Sequence, residues 1–322
     1  MPTTTTYAIL GATGQTGSEL VKHLLLHHQP ESTAGNSNLH LHLNIYARSA
    51  GRLESVFNKM GLQDLGARPD VTLFIGDLED EGLMRSCLAG ASIVFSAVAQ
   101  NRNEPGCSIA QRTALVIIKA LDADRRARMQ RLAREGEVEV GRGSAQATTE
   151  AIGPTTTVVF LASGGVDPVA TARINPIARK VFHWMLYHVY TDLERSIELL
   201  REDSSESRSF DLVIAAPGGL VHSISKSNAD PPSPHAIALT GDISSISQVL
   251  SYADLARGML RMGEEQREDG RWRGRFVGII VNEGEPVEGY GNPLALLRYL
   301  LPNVLAMICP PLWRWGQDWW PR

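Results

Sequence analysis

The chain is poor in the residues and patterns that would commit it to several common kinds of protein. Cysteine occurs three times in 322 residues, at Cys87, Cys107 and Cys309, with no Cys-x-x-Cys and no Cys/His cluster. Neither a zinc module nor a disulfide framework is expected, and a reducing, cytoplasmic setting fits. Charge of one sign is not in excess: 31 Lys and Arg stand against 35 Asp and Glu, a formal net charge of -4 that gives no general attraction to nucleic acid. The N-terminus lacks a basic stretch followed by an apolar one, and Tyr7 already opens what reads as a strand, so secretion is not expected. The most apolar stretch, residues 294–312, is broken by Arg298, Pro302, Asn303, Pro310 and Pro311. That disfavours a spanning helix, which needs about 20 uninterrupted residues. There is no internal repeat, no Ser-His-Asp order, no nucleophile elbow and no metal-ligand constellation.

What is present is a rhythm. Short apolar runs bounded by turn residues alternate with longer amphipathic segments, the pattern of repeated βα units and a parallel sheet covered on both faces. Strands are expected at 7–10, 43–47, 71–75, 92–97, 157–161, 210–215 and 276–281. Two stretches interrupt the rhythm and read as surface insertions: 27–42, which is polar, and 124–153, which begins as an Arg-rich helix extension and ends in Gly, Ser, Ala and Thr. Arg125, Arg126, Arg128, Arg131 and Arg134 have no interleaved aromatics and are followed at once by Glu135, Glu137 and Glu139, so a solvated helix face is favoured over a phosphate or RNA site. The expected organisation is one α/β domain over residues 1–292 and an apolar tail over 293–322. Four of the six tryptophans, Trp313, Trp315, Trp319 and Trp320, lie in the last ten residues. For the tail four readings stay open: packing on its own core, closure over an apolar substrate cavity, self-association of a homodimer, or peripheral membrane contact.

The most informative stretch is Gly11-Ala-Thr13-Gly14-Gln15-Thr16-Gly17, between an apolar strand and the segment Ser18-Glu-Leu-Val-Lys-His-Leu-Leu. A buried strand that ends at glycine, turns sharply and enters a helix brings backbone N–H groups and the positive end of the helix dipole to one point, a ready pyrophosphate site. The spacing is GxxGxxG rather than GxGxxG, so the context, first strand before and first helix after, carries the reading. After the second strand, where NAD binders place an acid for the ribose hydroxyls, the residues are Tyr46-Ala47-Arg48-Ser49-Ala50-Gly51-Arg52. With no acid there and an arginine able to pair with a 2′-phosphate, NADP(H) is the expected cofactor.

These residues, together with Gly76-Asp77-Leu78, Leu161-Ala-Ser-Gly-Gly165, Ala216-Pro-Gly-Gly-Leu220 and Ser251-Tyr-Ala-Asp-Leu-Ala256, resemble the atypical short-chain dehydrogenase/reductase proteins. The similarity points to the NmrA-like and flavin/biliverdin reductase B-like branches, which include oxidoreductases of fungal polyketide pathways, and it covers about residues 7–260. The resemblance implies a Rossmann-like, doubly wound parallel sheet with a small C-terminal substrate-binding portion. It also implies Asp77 and Leu78 beside the adenine, Ala97 to Ala99 along the cofactor, Pro217 near the nicotinamide, and Ser163 at the substrate oxygen.

One departure from that pattern bears on chemistry. In many such enzymes a Tyr-x-x-x-Lys pair lowers the phenol's pKa for proton transfer, yet no tyrosine here has a lysine four residues on. Tyr190 is followed at that distance by Glu194 and Tyr187 by Thr191. Candidate acids and bases are Tyr190 first, then Tyr187, His188 and His183, each with a core or structural role as the plainer alternative. Lys180 lies seven residues before Tyr187, on one helical face but two turns away. Thr191-x-x-Glu194 reads as a capping box opening a helix over 192–201. The lead expectation is an NADPH-dependent reductase of a small, apolar, aromatic or polyketide-like metabolite. The alternatives are a non-redox isomerase, cyclase or dehydratase on the same fold, and an NADP(H)-sensing regulator of the NmrA kind.

Overall fold

The β-branched and aliphatic runs pair as strands because their side chains can be buried on both faces at once. In the computed structural model, which describes residues 3–26, 39–100, 103–135, 155–172, 176–221, 236–241 and 249–282, ten strands are present among these residues. They are β1 (Thr3–Leu10), β2 (Leu39–Ala47), β3 (Val71–Ile75), β4 (Ile93–Ser96), β5 (Thr156–Leu161), β6 (Phe210–Ala215), β7 (Gly219–Val221), β8 (Ala236–Thr240), β9 (Val249–Ser251) and β10 (Phe276–Asn282). The helices are α1 (Gln15–Leu26), α2 (Ala50–Lys59), α3 (Glu81–Leu88), α4 (Ile109–Glu135), α5 (Pro168–Thr171), α6 (Pro176–Met185), α7 (Tyr187–Glu206) and α8 (Tyr252–Asp269).

Eight strands form one sheet in the order β3-β2-β1-β4-β5-β6-β10-β8, parallel except for the antiparallel edge strand β8. β7 and β9 make a separate parallel pair. Every residue of β4 and β5 is buried. Along β1, Tyr7 and Ile9 enter one core with Leu20, Val21 and Leu24 of α1 and Leu255, Met259 and Met262 of α8. Ala8 and Leu10 enter the other, with Met84 and Leu88 of α3, Ala114 and Ile117 of α4, and Leu193, Ile197 and Leu200 of α7. Helices thus cover both faces, which makes the fold a Rossmann-like, doubly wound α/β sheet. Phe57, Phe95, Phe160 and Phe210 are fully enclosed, each stabilising the fold by about 1.5–3 kcal/mol relative to exposure.

The expected strands are all present: β3 and β6 have the expected bounds, β4 is one residue shorter at each end, and β1, β2, β5 and β10 are longer. β1 starts at Thr3, because the threonines continue the ladder with residues from Leu39 onward. The polar insertion expected over 27–42 therefore gives its last four residues, 39–42, to β2; residues 27–38 lie outside the described ones. Of the second insertion, the part up to Glu135 continues α4, with ion pairs Arg126–Asp122 and Arg128–Asp124 one turn apart. Residues 136–153, and the tail from 293 with its tryptophans, lie outside the described residues. No described helix is long and apolar enough to cross a membrane.

Candidate functional site

The sheet order reverses between β1 and β4, whose neighbours lead away in opposite directions. Open α/β sheets take ligands in the crevice outside the carboxyl ends of the strands at such a point. The glycine turn fills the β1 side of it. Gly11 has φ 85°, and a Cβ there would lie 2.7 Å from the Ala97 carbonyl oxygen across the crevice. A Cβ at Gly17 would run into the Gly11 carbonyl group, so only glycine lets α1 start this close to β1. The Gly14 amide donates to the Gly11 carbonyl at 2.9 Å, and the Ser18 amide to Gly14 at 2.9 Å. Gly14 and Gln15 are exposed, Thr13 is half-buried and Thr16 buried. The first turn of α1 has no acidic side chain. Its partial positive charge is therefore free for an anion. Gly11, Thr13, Gly14, Gln15, Thr16 and Gly17 thus lie in one turn, and Ala97, which the resemblance placed along the cofactor, lies against Gly11.

Beyond β2, Arg48 is exposed and has no hydrogen-bond or ion-pair partner among the described residues. Ser49 caps α2, accepting from the Arg52 amide at 3.3 Å. The next strand, β3, leads into Gly76-Asp77-Leu78, with Asp77 exposed and Leu78 buried. This loop is held by a residue that sequence reading left out of the site: the buried Tyr46 hydroxyl donates to the Asp77 carbonyl at 2.5 Å. Burial, then the nearby Asp80, pushes the Tyr46 phenol up to about 12. A tyrosine at a strand end hinted at such a bond, but its acceptor lies 31 residues away.

Beyond β4 in the sheet, β5 leads through Ala162 into Ser163-Gly164-Gly165. Ser163 accepts from the Gly165 amide at 3.2 Å, so it caps its own turn, while the Gly164 amide donates to the carbonyl of the buried Pro217 at 2.8 Å. The Tyr190 hydroxyl lies against Gly165 so closely that a Cβ there would overlap it. Ser163, Pro217 and Tyr190 therefore share one wall.

The other candidates sit on the helices that form that wall. Tyr187 is 46% exposed, and its ring meets His188 edge-on at 5.3 Å. Burial lowers the pKa of His188, which favours its neutral form. His183 on α6 places Nε2 3.0 Å from Glu194 Oε1 and its ring edge-on to Tyr190, centroids 5.7 Å apart.

Two expectations are corrected here. The Thr191-x-x-Glu194 capping box does not open a helix, because α7 already begins at Tyr187 and both residues lie within it. The cap comes from elsewhere: Asn103, 1% exposed, accepts from the His188 and Val189 amides at 2.8 and 3.2 Å and donates to the Met185 carbonyl at 2.7 Å. Glu194 instead bonds His183. Nor do Lys180 and Tyr187 share a helix face, since Leu186 separates α6 from α7. In return, buried Asp192 of α7 caps α4, accepting from the Ala110 and Gln111 amides at 2.9 and 3.0 Å, from Gln111 Nε2 at 3.0 Å and from the Cys107 thiol at 3.3 Å. Burial and that carboxylate push the Cys107 thiol up to about 12, so it is not a nucleophile. Among the described residues there is no group of His, Cys, Asp and Glu arranged to hold a metal.

No family model matches the chain. It is similar over most of its length to fungal proteins named as oxidoreductases: 27% identical over 306 residues to oxidoreductase ptaF of Pestalotiopsis fici, covering 95% of this chain and 96% of that one. It is also 29% identical over 312 residues to oxidoreductase stcQ of Emericella nidulans, covering 96% and 93%, and 27% identical over 303 residues to averufin oxidase A of Aspergillus flavus, covering 94% and 90%. Among solved structures, oxidoreductase ylbE of Lactococcus lactis superposes with a TM-score of 0.50 at 14% identity, covering 86% of this chain and 91% of that one. At that identity the likeness speaks for the fold alone.

Proposed function

We propose that this protein is an NADP(H)-dependent oxidoreductase acting on a small apolar, aromatic or polyketide-like metabolite. The observation that carries the reading is the glycine turn: Gly11 and Gly17, where a Cβ would clash with the Ala97 and Gly11 carbonyl groups, let the first turn of α1, which holds no acidic side chain, start against the end of β1 at the point where the sheet order reverses. Those residues fit a dinucleotide. The pyrophosphate would rest on the amides following Thr13, the adenine against Leu78 and Asp77, and the 2′-phosphate on Arg48, whose guanidinium offers a bidentate donor pair. Exposed Arg48 with no acid beside it supports NADP(H) over NAD(H).

The redox part is supported by the fungal relatives named as oxidoreductases. The substrate class is supported by the segment that leaves β5 and returns as α7, where Val169, Ile177, Val181, Trp184 and Tyr187 are all exposed. Large apolar and aromatic side chains suit a planar, greasy ligand. When bound in reduced form, the nicotinamide supplies an electron pair and a hydrogen. The chain's residues place the acceptor: the Ser163 hydroxyl and the Tyr190 phenol stand on one wall, where they can hold a substrate oxygen.

The test is fluorescence titration of the purified protein with NADPH and NADH, then NADPH absorbance with menadione, an anthraquinone and aromatic ketones. Preference for NADPH with oxidation supports the reading. Turnover of an aromatic ketone without NADPH oxidation would overturn it in favour of isomerase-type chemistry.

A further inference from the structure

We infer that His183 and Glu194 form a proton-supplying dyad that takes the place of the missing lysine beside Tyr190. The proposal rests on the oxidoreductase reading above and names the acid–base machinery of that site. His183 comes from α6 and Glu194 from α7, and they meet at 3.0 Å between Nε2 and Oε1. A carboxylate can only accept, so Nε2 is the donor and carries the proton. In the neutral ring Nδ1 is then the basic nitrogen, a tautomer fixed by the carboxylate as in other carboxylate–histidine pairs. The same ring stands edge-on to Tyr190, and the Tyr190 hydroxyl reaches Gly165, whose amide binds the Ser163 hydroxyl at 3.2 Å. Glu194, His183, Tyr190 and the Ser163 turn are thus contiguous. Side chains of His183 and Glu194 are 39% and 43% exposed, which connects the far end of the chain of groups to solvent.

Reduction of a carbonyl or quinone oxygen needs one proton in addition to the electron pair and hydrogen delivered to carbon. Tyr190 breaks its O–H bond and gives that proton to the substrate oxygen. His183, as imidazolium, returns a proton to the Tyr190 oxygen through an intervening water, and a proton taken up from bulk solvent restores the imidazolium. Glu194 keeps its charge throughout and holds the ring. Tyr190 is the catalytic residue in this scheme, and His183 and Glu194 are positioning and resupplying residues. This also gives Glu194 a role opposite to that of a bare carboxylate, which beside a phenol would only raise its pKa.

The experiment pairs a spectroscopic with a kinetic readout on the full chain. In the 15N spectrum of imidazole-labelled protein, His183 should be a single Nε2-protonated tautomer at neutral pH, and Glu194→Ala should turn it into a mixture while Glu194→Asp restores the preference. With menadione, His183→Ala should retain NADPH affinity within about twofold and lose about 100-fold in turnover, the usual share of general acid–base catalysis. Added imidazole should restore part of that loss. A mixed tautomer in the wild type, or wild-type turnover in His183→Ala, would overturn the proposal. If the wild type binds NADPH but reduces no acceptor, the oxidoreductase reading falls by itself, and the proposal falls with it as a supply of protons for reduction.

Discussion

Arg48 is the residue whose replacement should separate the two nicotinamide cofactors. It is exposed and unpaired among the described residues, so its loss should leave stability within about 0.5 kcal/mol. A charge-assisted hydrogen bond contributes about 1.5–3 kcal/mol. Arg48→Ala should therefore weaken NADPH about 10- to 100-fold and leave NADH unchanged, as read by fluorescence titration. The place of Arg48 just past β2 was legible in the sequence, because it depends only on where that strand ends. Tyr46 was not, because the value of its hydroxyl depends on a carbonyl in another loop. Tyr46→Phe keeps the ring and removes the bond to Asp77, which should cost about 1 kcal/mol in denaturant unfolding. The two proteins should also differ in alkali. A folded-state pKa raised to about 12 from about 10 in the unfolded chain means that folding favours the protonated phenol. That stabilisation is complete below about pH 10 and is lost as pH rises toward 12, so the gap between wild type and Tyr46→Phe should narrow across that window.

At the scale of elements, α4 and α7 cap one another. Asn103, ahead of α4, closes the start of α7, and Asp192, within α7, closes the start of α4. Each supplies acceptors to amides that have no partner inside their own helix. Asn103→Ala should cost about 1–2 kcal/mol. Asp192→Asn should cost about 2–3 kcal/mol, because an amide nitrogen would face donors that a carboxylate now satisfies. The double variant should cost less than the sum, since losing either cap already loosens the joint. Urea unfolding of the four proteins measures this, and additive costs would refute the coupling. This joint explains where element reading failed. Strands were legible from their own composition, down to β3 and β6, whose bounds coincide with the expected 71–75 and 210–215. The start of α7 was not, because Thr191 and Glu194 make a plausible local cap while the cap in use lies 85 residues away. The short strands β7, β8 and β9 were missed for a related reason: three to five residues carry too little pattern, and only their partners make them strands.

At the scale of the whole molecule, the alternation of strands and helices announced a parallel sheet. The order that reverses between β1 and β4 follows from which strands find each other, and no local pattern encodes it. That reversal makes the proposed site a junction, since a ligand there would touch loops from β1, β2 and β3 on one side and from β4, β5 and β6 on the other. A molecule that binds only when both sets are in place binds the folded state alone. At about 100 times its dissociation constant it should stabilise the fold by about 2.7 kcal/mol. NADPH should therefore raise the unfolding temperature by several degrees in a thermal scan. Gly17→Ala forces α1 away from β1, because the new Cβ would occupy the place of the Gly11 carbonyl group. In that variant the unfolding temperature should fall and the rise with NADPH should disappear. Arg48→Ala should instead keep the unliganded unfolding temperature and lose only the difference between NADPH and NADH. An NADPH shift that survived intact in Gly17→Ala would place the nucleotide elsewhere and remove the ground on which the cofactor assignment stands.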